Sequence, residues 1–131
     1  MRAYAREIAF TTVYSYLMGD ENPQTFEDVI KVENLSEEDF EYIQNVLTKV
    51  KENKNELDEI AKTLSKSDNL EKLNKVDLAL IYLSISEVSY LNTPVAVSVN
   101  EVVSIAKKYS SAKGPAYVNG ILGEFFRRTN G

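Results

Sequence analysis

Arg2, Arg6, Phe10 and Tyr14 stand at four-residue intervals at the start of the chain. On a helix that spacing stacks side chains along one ridge. Guanidinium groups pair with phosphates in a bidentate way, and aromatic rings offer platforms to unpaired bases, so the ridge has the composition of a single-stranded RNA contact. Lys107, Lys108, Tyr109, Lys113 and Tyr117 form a second basic and aromatic cluster near the other end. The two clusters act as one site only if the termini fold side by side, with Arg6 and Tyr117 accessible on the same strip. Both rings also have a structural use, Phe10 as core and Tyr117 as a core-edge residue with its hydroxyl in water.

Other chemistries find little material. Cys, His and Trp are all absent, which removes disulfides, thiol nucleophiles, imidazole bases and nearly every zinc, copper or haem ligand set. There is no calcium-loop pattern, no P-loop and no G-x-G-x-x-G cradle. The expectation is a binding protein without a cofactor, not an enzyme. The formal charge of −5 taken alone speaks against a nucleic-acid binder. It is unevenly spread: residues 20–71 carry six lysines against fifteen acids, whereas residues 107–131 carry five basic residues against Glu124 alone. Both ends are basic and the middle is acidic.

The elements that must position these residues are helical. Pro and Gly number only 3 and 5, and apolar residues recur at three and four. The period predicts a first helix over about 3–18, closed by Gly19, and a short one from Pro23 or Thr25 through Ile30. Ser36 followed by Glu37, Glu38 and Asp39 is an N-cap with acids on the positive end of the helix dipole. Asn55 repeats the device for a fourth helix. From Val76 to Leu91 apolar residues surround the axis almost completely, marking a central buried helix. Thr93 and Pro94 open the next, and Gly114 with Pro115 the last, where Gly120 suggests close helix approach. Asn100, Glu101 and Asn119 lie on or beside apolar faces, where they would satisfy polar groups across helices. The expected architecture is an all-α bundle of about seven helices in one domain over 1–131. No apolar run reaches the length of a membrane span and no signal-peptide core is present, so a cytoplasmic protein is expected.

Several pieces together resemble one family. Ala5-Arg6-Glu7 with Ala9 and Tyr14, Leu73-Asn74-Lys75-Val76-Asp77 leading into an apolar helix with Glu87, then Pro94, Val99-Asn100-Glu101, Ile105-Ala106-Lys107 and Tyr117-Val118-Asn119-Gly120-Ile121-Leu122 are similar, in that order, to the NusB family of bacterial transcription antitermination factors. The resemblance implies a seven-helix fold and binding of the boxA segment of rRNA leader transcripts. It also implies pairing with NusE, a small-subunit ribosomal protein, in the complex that lets RNA polymerase pass terminators. Carried over by position, it puts RNA contacts on Arg2, Arg6, Tyr14, Lys113 and Tyr117, and the NusE-facing acid on Asp77 with Glu71 nearby.

The chain departs from the family pattern where Ala3-Tyr4 interrupts the N-terminal basic run, where Leu78 and Tyr82 replace arginines, and in a loop before Pro94 shorter by one residue. With roughly three neutralised phosphates, the single-strand salt slope would be only about −2. An acidic middle would attract a basic ribosomal protein, and the pair would present a more positive joint surface. The rival of another class is a helical protein-interaction module, or a homodimer burying the RNA face. The related RNA-binding domain of rRNA cytosine methyltransferases is set aside, because the length leaves no room for a catalytic domain.

Overall fold

A computed structural model describes residues 2–21, 23 and 35–130. Among these residues there are six α-helices and no strand: α1 (Arg2–Leu17), α2 (Glu37–Glu52), α3 (Lys54–Ser65), α4 (Lys75–Tyr90), α5 (Val95–Tyr109) and α6 (Gly114–Asn130), with a 3-10 turn at Leu70–Lys72 before α4. The short helix expected from Pro23 or Thr25 to Ile30 lies outside the described residues. The count is therefore six where about seven were expected.

Helix α4 is the centre. Every residue from Asp77 to Glu87 is buried, because an all-round apolar helix can satisfy its surface only by being packed on every side. Helices α1, α2, α5 and α6 pack against it, while α3 lies on α6 and on the end of α2. Leu80, Ile81, Leu83, Val102, Val118 and Leu122 share one apolar core with Ala5, Ala9 and Val13 of α1. Burying each large aliphatic side chain stabilises the fold by about 1.5–3 kcal/mol. The rim of that core carries the site.

Local signals account for several helix ends. Ser36 caps α2, its hydroxyl accepting from the Asp39 N–H at 3.1 Å. Asn74 does the same for α4, accepting from Val76 and Asp77 at 2.8 and 3.2 Å. Gly19 ends the turn after α1 at φ +111°, a conformation that disfavours any residue with a Cβ. Two starts differ from expectation. Helix α3 begins at Lys54, not after Asn55, and Asn53 ahead of it uses its side chain on the Lys49 carbonyl (2.8 Å), closing α2. Pro94 itself, not Thr93, is the N-cap of α5.

Gly120 is exposed, and a Cβ there would meet nothing within 4 Å, so it mediates no close helix approach. Gly114 is the glycine that packing requires. A Cβ on it would lie 1.9 Å from Ser110 Oγ and 3.0 Å from Asp77 Oδ1. Asn100 and Asn119 are exposed, so they do not satisfy buried groups as expected.

Candidate nucleic-acid interface

The expected ridge along α1 divides between surface and core. Arg2 stays at the surface: its Nε donates to Asp39 at 3.1 Å, its guanidinium lies 4.2 Å from the centre of the Tyr42 ring, and nearly half its side chain is in solvent. Tyr14 is half-buried at the core edge. Between them, Arg6 and Phe10 are buried, at 3% and 4% exposure. The expectation that Arg6 is an accessible RNA contact is corrected here.

Arg6 belongs instead to a buried polar knot. Its Nε donates to both oxygens of Glu87, at 2.9 and 3.1 Å. The same carboxylate accepts from the Tyr42 hydroxyl of α2 and from Ser98 Oγ of α5 at 2.6 Å, and Ser98 Oγ is 2.8 Å from Ser84 Oγ. Glu87 has no solvent exposure. Its position on α4 thus ties α1, α2 and α5 together. Burial, and then the Glu87 charge, push the Tyr42 phenol well above its ordinary range, so the hydroxyl donates. Burial by itself would lower the Arg6 pKa, but Tyr42 and Glu87 outweigh it and raise the value, so the ion pair is kept. A glutamate in an otherwise apolar helix needs a buried cation. That requirement was the signal pointing from Glu87 to Arg6.

One residue further on, Glu7 reaches the outer face of α5. It accepts from Lys108 Nζ at 3.0 Å and from the Tyr109 hydroxyl. The Tyr109 bond is the main cause holding the Glu7 carboxyl below its ordinary pKa, partial burial opposes it, and Lys108 adds to the lowering. Tyr109 is half exposed, and its ring lies 5.6 Å from Phe10, which in turn lies 6.3 Å from Tyr14. An aromatic row therefore crosses from α1 to the end of α5. Tyr4, also exposed, stands on the same side, close enough to Tyr109 to influence its hydroxyl. Tyr4 counted only as an interruption of the basic run when the sequence was read alone.

The loop after Tyr109 carries the exposed Lys113 and leads to Tyr117 one turn into α6. Tyr117 is half-buried; burial is the main cause raising its hydroxyl pKa, and nearby Ser65 at the end of α3 opposes it. The structure thus joins α1 to the α5 end of the second cluster through Glu7, Lys108, Tyr109 and Phe10, while Tyr117 lies toward α3.

Asp77 is a second correction. Expected to face a partner, it is 4% exposed and accepts from Ser110 Oγ at 2.6 Å, pinning the α5–α6 loop to the head of α4. Glu71, on the 3-10 turn, is exposed and edges a cleft of about 90 Å³ with Lys75, Asp58 and Tyr82. Among the described residues no group of three His, Cys, Asp or Glu side chains is placed to hold a metal ion, and no helix is long and apolar enough to cross a membrane.

Comparison with known proteins places this arrangement. The sequence profile of the NusB family matches residues 3–127. The transcription antitermination protein NusB of Finegoldia magna is 32% identical over 129 residues, spanning 97% of this chain and 94% of that one. Among solved structures, a chain in the crystal structure of the antitermination factors NusB and NusE in complex with dsRNA superposes with a TM-score of 0.82 at 25% identity, covering 97% and 96% of the two chains. A chain in the crystal structure of a plectonemic RNA supercoil gives 0.86 at 25% identity, covering 99% and 98%.

Proposed function

The chain belongs to the NusB family, and from that premise we propose that it is a transcription antitermination factor. It binds boxA-type single-stranded RNA of rRNA leader transcripts together with NusE, within the complex that carries RNA polymerase past terminators. One observation carries this reading: the chain superposes over 97% of its length on a chain in a crystal structure of NusB and NusE in complex with dsRNA. The preference for a single strand rests on the exposed aromatic rings. The protein works by binding, without catalysis or a cofactor, as one helical domain in the cytoplasm where transcripts are made.

The exposed side chains support this reading. Arg2, Lys113 and the neighbouring Lys107 are exposed cations for phosphates. Tyr14, Tyr109 and Tyr117 are edge aromatics for stacking, which unpaired bases accept and a closed duplex does not. Arg6 contributes at one remove, by fixing α1 on α4 through Glu87. Glu71, not Asp77, is the acid available to the basic ribosomal protein at this end of α4.

The test is a fluorescence titration of boxA-like RNA, scrambled single-stranded RNA and a duplex control, with and without NusE, at two salt concentrations. The expected result is weak binding alone, with a salt slope of about −2, and a clear preference for the boxA-like strand once NusE is present. Equal, weak binding of all three RNAs in the presence of NusE would instead identify a protein-interaction module.

A further inference from the structure

Between the first turn of α1 and the middle of α5 lies a cavity of about 240 Å³. Ala3 and Ile105 give it apolar wall, Tyr4 contributes an aromatic ring, and Glu7, Glu101, Ser104 and Lys108 bring polar groups to it. We propose that this cavity is a nucleobase subsite that takes a guanine of the bound RNA strand, with the Glu101 carboxylate reading its Watson–Crick edge and Tyr4 stacking on its face. The inference rests on the RNA-binding reading above and deepens it.

The polar lining selects the ligand. Glu7 is already engaged, since Lys108 and Tyr109 both donate to it. Glu101 is half-buried and interacts electrostatically with the buried Arg6, which is itself hydrogen-bonded to Glu87. The cavity therefore offers the Glu101 carboxylate and the Ser104 hydroxyl as acceptors, with Lys108 held at its edge by Glu7. With Arg6 paired to Glu87 and Lys108 to Glu7, the remaining charge of Glu101 disfavours a phosphate inside. A flat, neutral group with adjacent N–H donors is favoured, and guanine alone among the four RNA bases presents two such donors, N1–H and N2–H, side by side to one carboxylate. Adenine and cytosine present one donor group beside an acceptor, and uracil one N–H between two carbonyls.

The surroundings favour a nucleotide over the other planar donor, an arginine side chain of a protein partner. Lys108 has 62% of its side chain in solvent, and Lys107 is exposed beside it on α5. Cations outside with acceptors inside suit a base whose own phosphates remain at the mouth, and repel a basic peptide. Tyr4 is 39% exposed on the first turn of α1 and lines the cavity, so part of its side chain meets solvent there.

The experiment compares a heptamer of single-stranded RNA carrying one guanosine with the same heptamer carrying inosine, which keeps N1–H but lacks the 2-amino group. The wild-type chain is expected to bind the guanosine strand roughly tenfold more tightly, the scale of one bidentate base contact. Glu101→Gln is expected to erase that difference, and Tyr4→Ala to weaken both strands together; melting curves establish that each variant is folded. Equal wild-type affinity for the two strands overturns the guanine subsite while leaving RNA binding in place. A guanosine preference that survives in Glu101→Gln overturns it too, as does an arginine-bearing peptide that binds the wild type and not Glu101→Gln while the two RNAs bind alike. Failure of the wild type to bind either strand, with or without NusE, overturns the RNA-binding reading itself.

Discussion

Arg6 and Glu7 are neighbours on α1, and each ends in an ion pair of nearly the same length, 2.9 Å to Glu87 and 3.0 Å to Lys108. Their surroundings share nothing else. The first pair is 3% and 0% exposed, while the second is 20% exposed on Glu7 and 62% on Lys108. A buried pair that loses one partner leaves an uncompensated charge in a medium that cannot solvate it; a surface pair that loses one partner leaves a hydrated charge. One turn of one helix therefore holds both a structural tie and a surface feature available to a ligand. Distance alone does not tell them apart.

The most severe way to test that contrast is Arg6→Ala. Stranding Glu87 with only hydroxyl donors should cost about 3–5 kcal/mol, or roughly 10–20 °C of melting temperature for a chain of this size. Thermal unfolding followed by circular dichroism measures it. A variant that melts within a degree or two of the wild type would mean that Glu87 finds another donor, and the contrast between the two pairs would disappear.

A second comparison of the same kind sets Asp77 against Glu71. Asp77→Ala removes the acceptor of the partly buried Ser110 hydroxyl bond and should destabilise by about 1–3 kcal/mol. Glu71→Lys lies in the open and should leave stability within about 0.5 kcal/mol while weakening NusE binding. Urea midpoints and a NusE titration separate the two. Loss of NusE affinity on Asp77→Ala at unchanged stability would restore the role that burial removes from it.

These contrasts show which parts of the molecule a reader of residues can reach. The core of α4 follows from its nearly complete apolar surround, and the start of α2 from Ser36 and the acids behind it, because each depends on neighbours in sequence. The face of α1 is different. At 3.6 residues per turn, a four-residue step overshoots a full turn by about 40°, so from Arg2 to Tyr14 the ridge drifts about 120° around the axis. That drift carries it from solvent at Arg2, through the core at Arg6 and Phe10, to the core edge at Tyr14. Which part of a drifting stripe is covered depends on where α2 and α4 pack, and no local spacing encodes that. Asp77 escaped for the same reason: its partner Ser110 is 33 residues away.

The finest test concerns the surface pair. Glu7 has its pKa held below the ordinary 4.5, first by the Tyr109 hydroxyl and then by Lys108, against the opposing effect of partial burial. A folded-state value below the unfolded one stabilises fully above about pH 4.5, and the contribution is lost as pH falls through the lower folded value. Tyr109 is shifted the other way, raised above 10.0 chiefly by the same hydrogen bond, so its share is present below pH 10 and lost as the pH rises through the folded value. Glu7→Gln should therefore flatten the acid side of a plot of urea midpoint against pH, below about pH 4.5. With Lys108 in solvent and screened, the change at neutral pH should stay within about 0.5 kcal/mol and shrink in high salt. A loss at pH 7 as large as that of Arg6→Ala would show that the clasp between α1 and α5 is as structural as the knot beneath it, and would leave the face over Tyr4 and Tyr109 without the give that a docking strand requires.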